Sequence, residues 1–418
     1  VVFAAKPIMN AEPQPSSQAV LAEQKTLSTG EFLANYWKRV RGGDIGSLPI
    51  IVGLLLIALI FQSLNQNFLT PVNFVNLIVQ MAGIATIAIG VVFVLLLGEI
   101  DLSIGFVSAV GGVVMTLIFR DLGWPWFLTI PAALAAVTVV GLVQGLIITG
   151  FGLPSFIVTL AGLLVWNGVV LILVGAGGTI ILQDSAAIGI ANAFLPASWG
   201  WGLAAAIVLL YAGSKLQGNW RRRREGLTTT PQPLLLLQIV GIAALILAGV
   251  YVSNLDRGVP VVGVLLALLL VVFSFVATRT PFGRYVYAVG GSAEAARRAG
   301  IPVNRIRIYV FMLSSFMAGW GGIILASRLR SVATNSGGGN LVLSCIAAAV
   351  IGGTSLFGGR GFVLSALLGA LVVGGVENGM GLLGLSAGSK FIITGLVLLA
   401  AVLVDALARR SRVKSGRA

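Results

Sequence analysis

Two carboxylates, Glu99 and Asp101, stand one residue apart in VFVLLLGEIDLSIGF, with apolar runs on either side. A carboxylate this near to lipid is expensive unless it meets water, a base or a solute. Asp101, or Ser103 just after it, is placed to cap a helix that starts there. Glu99 has no such local use, so it should face water, a basic partner or a transported substrate. Glu377 and Asn378, in ALVVGGVENGM, raise the same question in the second half of the chain. Gln80, Gln144 and Asn167 are amides inside apolar runs, where hydrogen bonding between helices is the default use. Together with Ser103 these residues form a candidate substrate pathway. Trp166 and Trp320 have the rings to stack on a sugar face, although a tryptophan in such a place more often packs.

None of this is the equipment of an enzyme. The chain has no histidine and one cysteine, Cys345, and no nucleophile stands beside a base. One cysteine excludes an intrachain disulfide, and the lack of histidine argues against a zinc site. No metal site is expected.

The elements that must hold these residues are apolar helices. The chain has 418 residues, 57 % of them hydrophobic and 10 % charged, with a mean hydropathy of +1.02. Only helices or closed barrels satisfy the backbone in lipid, and these runs are continuous rather than alternating. The expected fold is all-α, a polytopic membrane protein with about 12 transmembrane segments. They fall near 48–64, 75–97, 103–119, 125–149, 155–175, 199–217, 234–253, 259–278, 308–326, 341–353, 361–380 and 389–407. The stretch 341–353 is short for a crossing.

Charge tests this count. A net +14 would point to nucleic acid in a soluble chain, but in a membrane protein basic residues mostly set topology. With the N-terminus inside, every Lys and Arg falls on the inner side except Arg120, Arg257, Arg328, Arg330 and Lys390. Both termini are therefore expected in the cytoplasm, and no nucleic-acid partner is expected. Residues 1–45 read as a polar cytoplasmic tail without a signal-peptide pattern, so the first span would act as its own insertion signal. Residues 46–408 read as the transmembrane domain and 409–418 as a basic cytoplasmic tail. The internal run NWRRRREG fits topology and contact with lipid headgroups.

The internal loop 279–307 says more. In GSAEAARRAGIP, Ser292 is an N-cap, Glu294 lies in the first turn, and Arg297 and Arg298 lie in the last. Gly300 ends the helix and Pro302 prevents its return. So short a helix is marginal alone and needs support: it either rests on the lipid headgroups or docks on a partner whose movement it transmits. The chain has no GxxxxGK[ST], so any ATP hydrolysis must occur on another polypeptide attached at this loop.

Two segments also resemble one another. AIGVVFVLLLGEIDLSIGFVSAVGG, from Ala88, and AAVIGGTSLFGGRGFVLSALLGAL, from Ala348, are each an apolar run, a glycine-rich break and a small-residue helix. They read as a parallel internal repeat. Broken backbone at membrane depth survives only when buried or lining a cavity.

GEIDLSIG, PSFIVTLAG (154–162), ATRTPFGRYVYAVGG (277–291) with AEAARRAGIP after it, and AAVIGGTSLFGGRG (348–361) resemble the monosaccharide permeases of bacterial ABC importers, the ribose, galactose and xylose type. The resemblance runs from about residue 46 to residue 408. Glu99, LPAS at 195–198, NLDRGVP at 254–260 and the extra spans near 199–253 lean toward the xylose branch. It implies a type II-like ABC importer permease in the bacterial inner membrane, working as a homodimer, with no cofactor of its own. Its implied partners are an extracytoplasmic sugar-binding protein and a cytoplasmic ABC ATPase that holds ATP and Mg2+. The Ser292–Gly300 helix corresponds to the family's coupling helix. One departure is NLVLSCIAA, with Ser344 and Cys345 where relatives carry an acidic residue. The alternatives are a permease for another small polar solute, such as a nucleoside or autoinducer, and a secondary transporter coupled to ions through Glu99, Asp101 and Glu377.

Overall fold

The computed structural model describes Gly30, residues 48–227 and residues 229–414. The expected N-terminal tail, Gly30 apart, and the last four residues of the basic tail lie outside the described residues.

The chain divides into two compact units. The larger takes in residues 40–201 and 249–418 and carries the candidate site. Its first half holds α1 (Leu48–Leu64), α2 (Pro71–Leu96), α3 (Ile104–Leu117), α4 (Trp126–Gly150) and α5 (Ser155–Val174). A π-helical turn, Ile118–Leu122, prolongs α3. The short α6 (Ser185–Asn192) follows, capped by Asp184, whose Oδ1 accepts the Ala187 N–H at 2.8 Å. In the smaller unit, residues 202–248 carry most of α7 (Ala197–Arg224) and α8 (Gln232–Asn254). The Asn219 side chain there accepts from the Thr230 N–H at 3.1 Å, and the Arg224 guanidinium lies 3.8 Å over the Trp220 ring.

The second half of the larger unit holds α9 (Val261–Arg279), α10 (Pro281–Gly291), α11 (Ala293–Arg298), α12 (Val303–Leu329), α13 (Leu341–Ile351), α14 (Leu364–Leu382) and α15 (Ala387–Lys414). Helix α2 is buried at every residue from Met81 to its end at Leu96, and that stretch is accordingly apolar on nearly all faces. It packs against α12, which also lies along α3 and α4. The contacts are close because small residues line them: a Cβ on Gly322 would stand 1.7 Å from the Ser108 carbonyl oxygen. Both expected glycine-rich breaks are helix–break–helix, with α2 and α3 around 97–103 and α13 and α14 around 352–363.

The span count needs correction. Among the described residues nine helices are long and apolar enough to cross a membrane, where about 12 were expected. The other three, Ile50–Leu64, Leu341–Ile351 and Ala387–Ala400, are shorter apolar helices. Helix α13 stops early because Gly352 and Gly353 follow it, Gly353 at φ +104°. The all-α expectation holds, with two small antiparallel ribbons in the loops. Strand β1 (Thr179–Ile181) pairs with β4 (Ser331–Ala333), and β2 (Phe194–Leu195) pairs with β3 (Val259–Pro260). They satisfy loop backbone that has no helix to join.

Candidate functional site

The break between α2 and α3 is held from three sides. Glu99, 7 % exposed, forms an ion pair with Arg307 in the second turn of α12. The Ile100 N–H donates to Ser155 Oγ at 3.3 Å, and Thr159 Oγ1, on the same helix α5, lies 3.3 Å from the Ile100 carbonyl. Asp101 is 3 % exposed. Its Oδ1 accepts the Ser103 N–H at 3.0 Å and the Ser103 hydroxyl at 2.7 Å, while Oδ2 accepts the Ser314 hydroxyl of α12 at 2.9 Å. Gln144 Nε2 donates to Ser103 Oγ at 3.0 Å, bringing in α4.

Of the residues expected along a pathway, Glu99, Asp101, Ser103 and Gln144 thus meet at one end of α2. The cap expectation needs adjustment: Ser103 stands at the N-cap of α3 without a side-chain cap bond, and Asp101 accepts from Ser103 itself rather than from the first turn. Asn167, half-buried on α5, joins no hydrogen-bond cluster among the described residues. Arg307, Ser314, Ser155 and Thr159 were not singled out as site residues. The hydroxyls of Ser155 and Thr159 stood within PSFIVTLAG, where they carried resemblance but no role.

The same end of α2 is a junction of backbones. The Gly359 N–H, from the second break, donates to the Leu96 carbonyl at 2.8 Å. A Cβ on Gly290, at the end of α10, would fall 1.7 Å from that carbonyl oxygen and 2.7 Å from Gly359 N. No side chain fits there. Tyr287, also on α10, donates its hydroxyl to the Gly361 carbonyl at 2.8 Å. Burial pushes the phenol's pKa up from its ordinary value, which keeps it a donor. Helix α11 follows directly. Ser292 Oγ accepts the Ala295 N–H at 3.2 Å, Glu294 pairs with Arg298, and Gly300 closes the helix at φ +81°. Arg297 and Arg298 are exposed, and of this helix only Ala296 is buried.

A second polar cluster lies toward the other end of α2. Gln80 and Leu96 are sixteen residues apart, about 24 Å along a helix. Asn378 Nδ2 donates to Gln80 Oε1 at 3.1 Å, and Asn73 and Asn378 exchange amide bonds at 2.8 and 2.9 Å. Beside them a cavity of about 410 Å3 opens among α2, α12, α13, α14 and α15, and Glu377 faces it. Ser344 Oγ donates to Glu377 Oε1 at 3.0 Å, and Asn340 Nδ2 donates to the same oxygen at 3.4 Å. Ser344 thus makes a direct contact with the carboxylate from the position where the resemblance expects an acid. Arg328 and Lys390 line the cavity too. A larger groove of about 770 Å3, between α4 and α12, is apolar, and Trp320 faces it rather than a polar site.

The two clusters can hold a polar solute in one place and tie backbone breaks to a helical loop in another, which is what a carrier needs. Residues 73–402 match the family described as branched-chain amino acid transport system, permease component. The chain is 38 % identical over 364 residues to the xylose transport system permease protein XylH of Escherichia coli K12, covering 86 % of this chain and 92 % of that one. It is 32 % identical to the ribose import permease protein RbsC of Haemophilus influenzae, covering 85 % and 91 %. RbsC of Bacillus subtilis is 31 % identical, covering 90 % and 98 %. No solved structure matches. With its long apolar helices and a match over most of its length, the chain is a multi-pass membrane protein and belongs to the branched-chain amino acid transport system permease component family, whose members are transport subunits without catalytic activity.

Proposed function

We propose that this chain is the translocation subunit of an ABC importer that carries a monosaccharide, a pentose such as xylose foremost, into the cytoplasm. The observation that carries the reading is the α10–α11 segment. It ends in a fully capped, exposed helix on one side and touches both backbone breaks on the other. The relatives' names supply the substrate class, and their identities leave the individual sugar open.

In this reading the chain lies in the bacterial inner membrane with both termini cytoplasmic. Residues 46–408 form the permease domain, with the coupling loop at 279–307 between polar tails at 1–45 and 409–418. Two copies form a homodimer in the type II-like manner. A sugar-binding protein delivers solute outside, and a cytoplasmic ATPase holds ATP and Mg2+. Ser292, Glu294, Arg297, Arg298 and Gly300 shape the helix that docks on that ATPase. Gln80, Glu377 and Asn378 line the path in the outer half of the membrane. Glu99, Asp101, Ser103 and Gln144 frame its inner half and set the shape of the break, and Asn167 lies along the path further up α5.

The test is purification of the tagged chain from its native membrane, with its partners identified by mass spectrometry. Recovery of a Walker-motif ATPase and a sugar-binding protein is expected. Sugar transport by the chain purified free of any ATPase would overturn the reading and leave ion coupling through the carboxylates in its place.

A further inference from the structure

We infer that the cavity between α2 and α12–α15 is a binding station for a neutral polyhydroxyl solute, held between the Glu377 carboxylate and the cations Arg328 and Lys390. The inference rests on the importer reading and adds to it the place and the polarity of a site.

The carboxylate is already aimed. Both of its hydrogen bonds, from Ser344 and Asn340, go to Oε1, so among the described residues Oε2 has no partner and is left to accept from a ligand. Arg328 and Lys390 line the same space, and neither side chain makes a hydrogen bond or ion pair among the described residues. Opposite charges in a half-buried pocket normally close into contact. Here they stand apart around about 410 Å3, inside the range of roughly 300–1,000 Å3 usual for small-molecule sites. Holding the acceptor in place beforehand lowers the cost of binding.

The polarity follows from the signs. An anion entering this space meets Glu377, and a cation meets Arg328 and Lys390. A hydroxyl group both donates and accepts, so a molecule with several hydroxyls satisfies the carboxylate and the cations together. Gln80 adds an amide already oriented by Asn378, and Phe391 adds an apolar face for the C–H side of a sugar ring. The site also sits at the start of the short helix α13, a break of the kind that holds solutes in carriers.

The test uses the complete importer in cells, with uptake of D-xylose, D-ribose and D-galactose measured separately. Glu377→Ala is expected to lower uptake of the carried sugar by about tenfold or more, the worth of one hydrogen bond to a charged group. Lys390→Gln removes an ammonium that makes no hydrogen bond or ion pair among the described residues, so a loss of uptake there is not a folding loss. A third variant, Lys390→Cys, is exposed to a methanethiosulfonate reagent. Cys345 is fully buried, so the introduced thiol is the one that reacts. The neutral sugar should protect it, and the acid D-xylonate should not. If wild type transports a sugar while Glu377→Ala and Lys390→Gln stay within about twofold of it, the site is wrong and the importer reading stands. Protection by D-xylonate and not by a neutral sugar overturns the polarity. If wild type carries none of the three sugars, the importer reading and the site fall together.

Discussion

Asp101 separates a structural tie from a transporting group, because Asn and Ala act on it differently. Its carboxylate accepts three hydrogen bonds and is 3 % exposed. In Asp101→Ala the Ser103 N–H and the Ser314 hydroxyl lose their acceptor, while the Ser103 hydroxyl keeps Gln144 Oε1, 3.2 Å away, as an acceptor. Two buried orphaned donors at about 1–3 kcal/mol each give a loss of about 2–6 kcal/mol. Asp101→Asn has the same shape. Its Oδ1 keeps both Ser103 bonds, and its Nδ2 donates to a Ser314 hydroxyl that turns to accept. Weaker neutral bonds are offset by removal of a buried charge, so Asn should cost about 1 kcal/mol or less. The measurement is thermal unfolding of the solubilised permease beside uptake in cells. Alanine should lower the Tm by several degrees and abolish uptake, and asparagine should leave both near wild type. An asparagine variant that folds normally and transports nothing would refute this reasoning and make Asp101 a group that binds solute or exchanges protons.

Gly290→Ala places a methyl 1.7 Å from the Leu96 carbonyl oxygen, so it should cost about 1–3 kcal/mol or more and cut uptake; normal uptake would show that the junction yields freely. Arg307→Met leaves Glu99 buried without its cation, so the Tm should fall further than in Glu99→Gln/Arg307→Met; equal values would mean the pair contributes nothing. Reversing Arg297 and Arg298 to Glu should cost about 1 kcal/mol or less of stability, since both are exposed and only the surface pair with Glu294 is broken, while uptake and ATPase co-purification are lost. ATP-driven uptake at the normal rate would remove α11 from the coupling contact.

Local signals were legible in the sequence. Each expected span coincides with a helix, and α11 was readable residue by residue because capping is settled within a single turn. Non-local pairing was not legible. Glu99 called for a partner, but nothing nearby names Arg307, which lies on another helix far along the chain. The second cluster was half visible: Gln80, Glu377 and Asn378 stood out because they interrupt apolar runs. Arg328 and Lys390 lie at span ends, where a basic residue is ordinarily a topology marker, so their place beside a cavity was hidden. Ser344 stands out in the sequence only as a departure from the acid of similar chains, and Asn340 not at all; the fold brings both to Glu377. The two ribbons were illegible because strands of two or three residues leave no periodicity.

The two ends of α2 are built from different materials. The cavity is made of side chains, each replaceable by a single codon change. The junction of Leu96, Gly290 and Gly359 is backbone against backbone, with no room for a side chain at its closest point. If the cavity is the station inferred above, substitutions around it can retune what it holds without reaching that joint. On the proposed function, a lineage could diversify its cargo while inheriting this joint intact, and an engineer exchanging Gln80, Ser344 or Phe391 should find coupling to ATP hydrolysis unaffected.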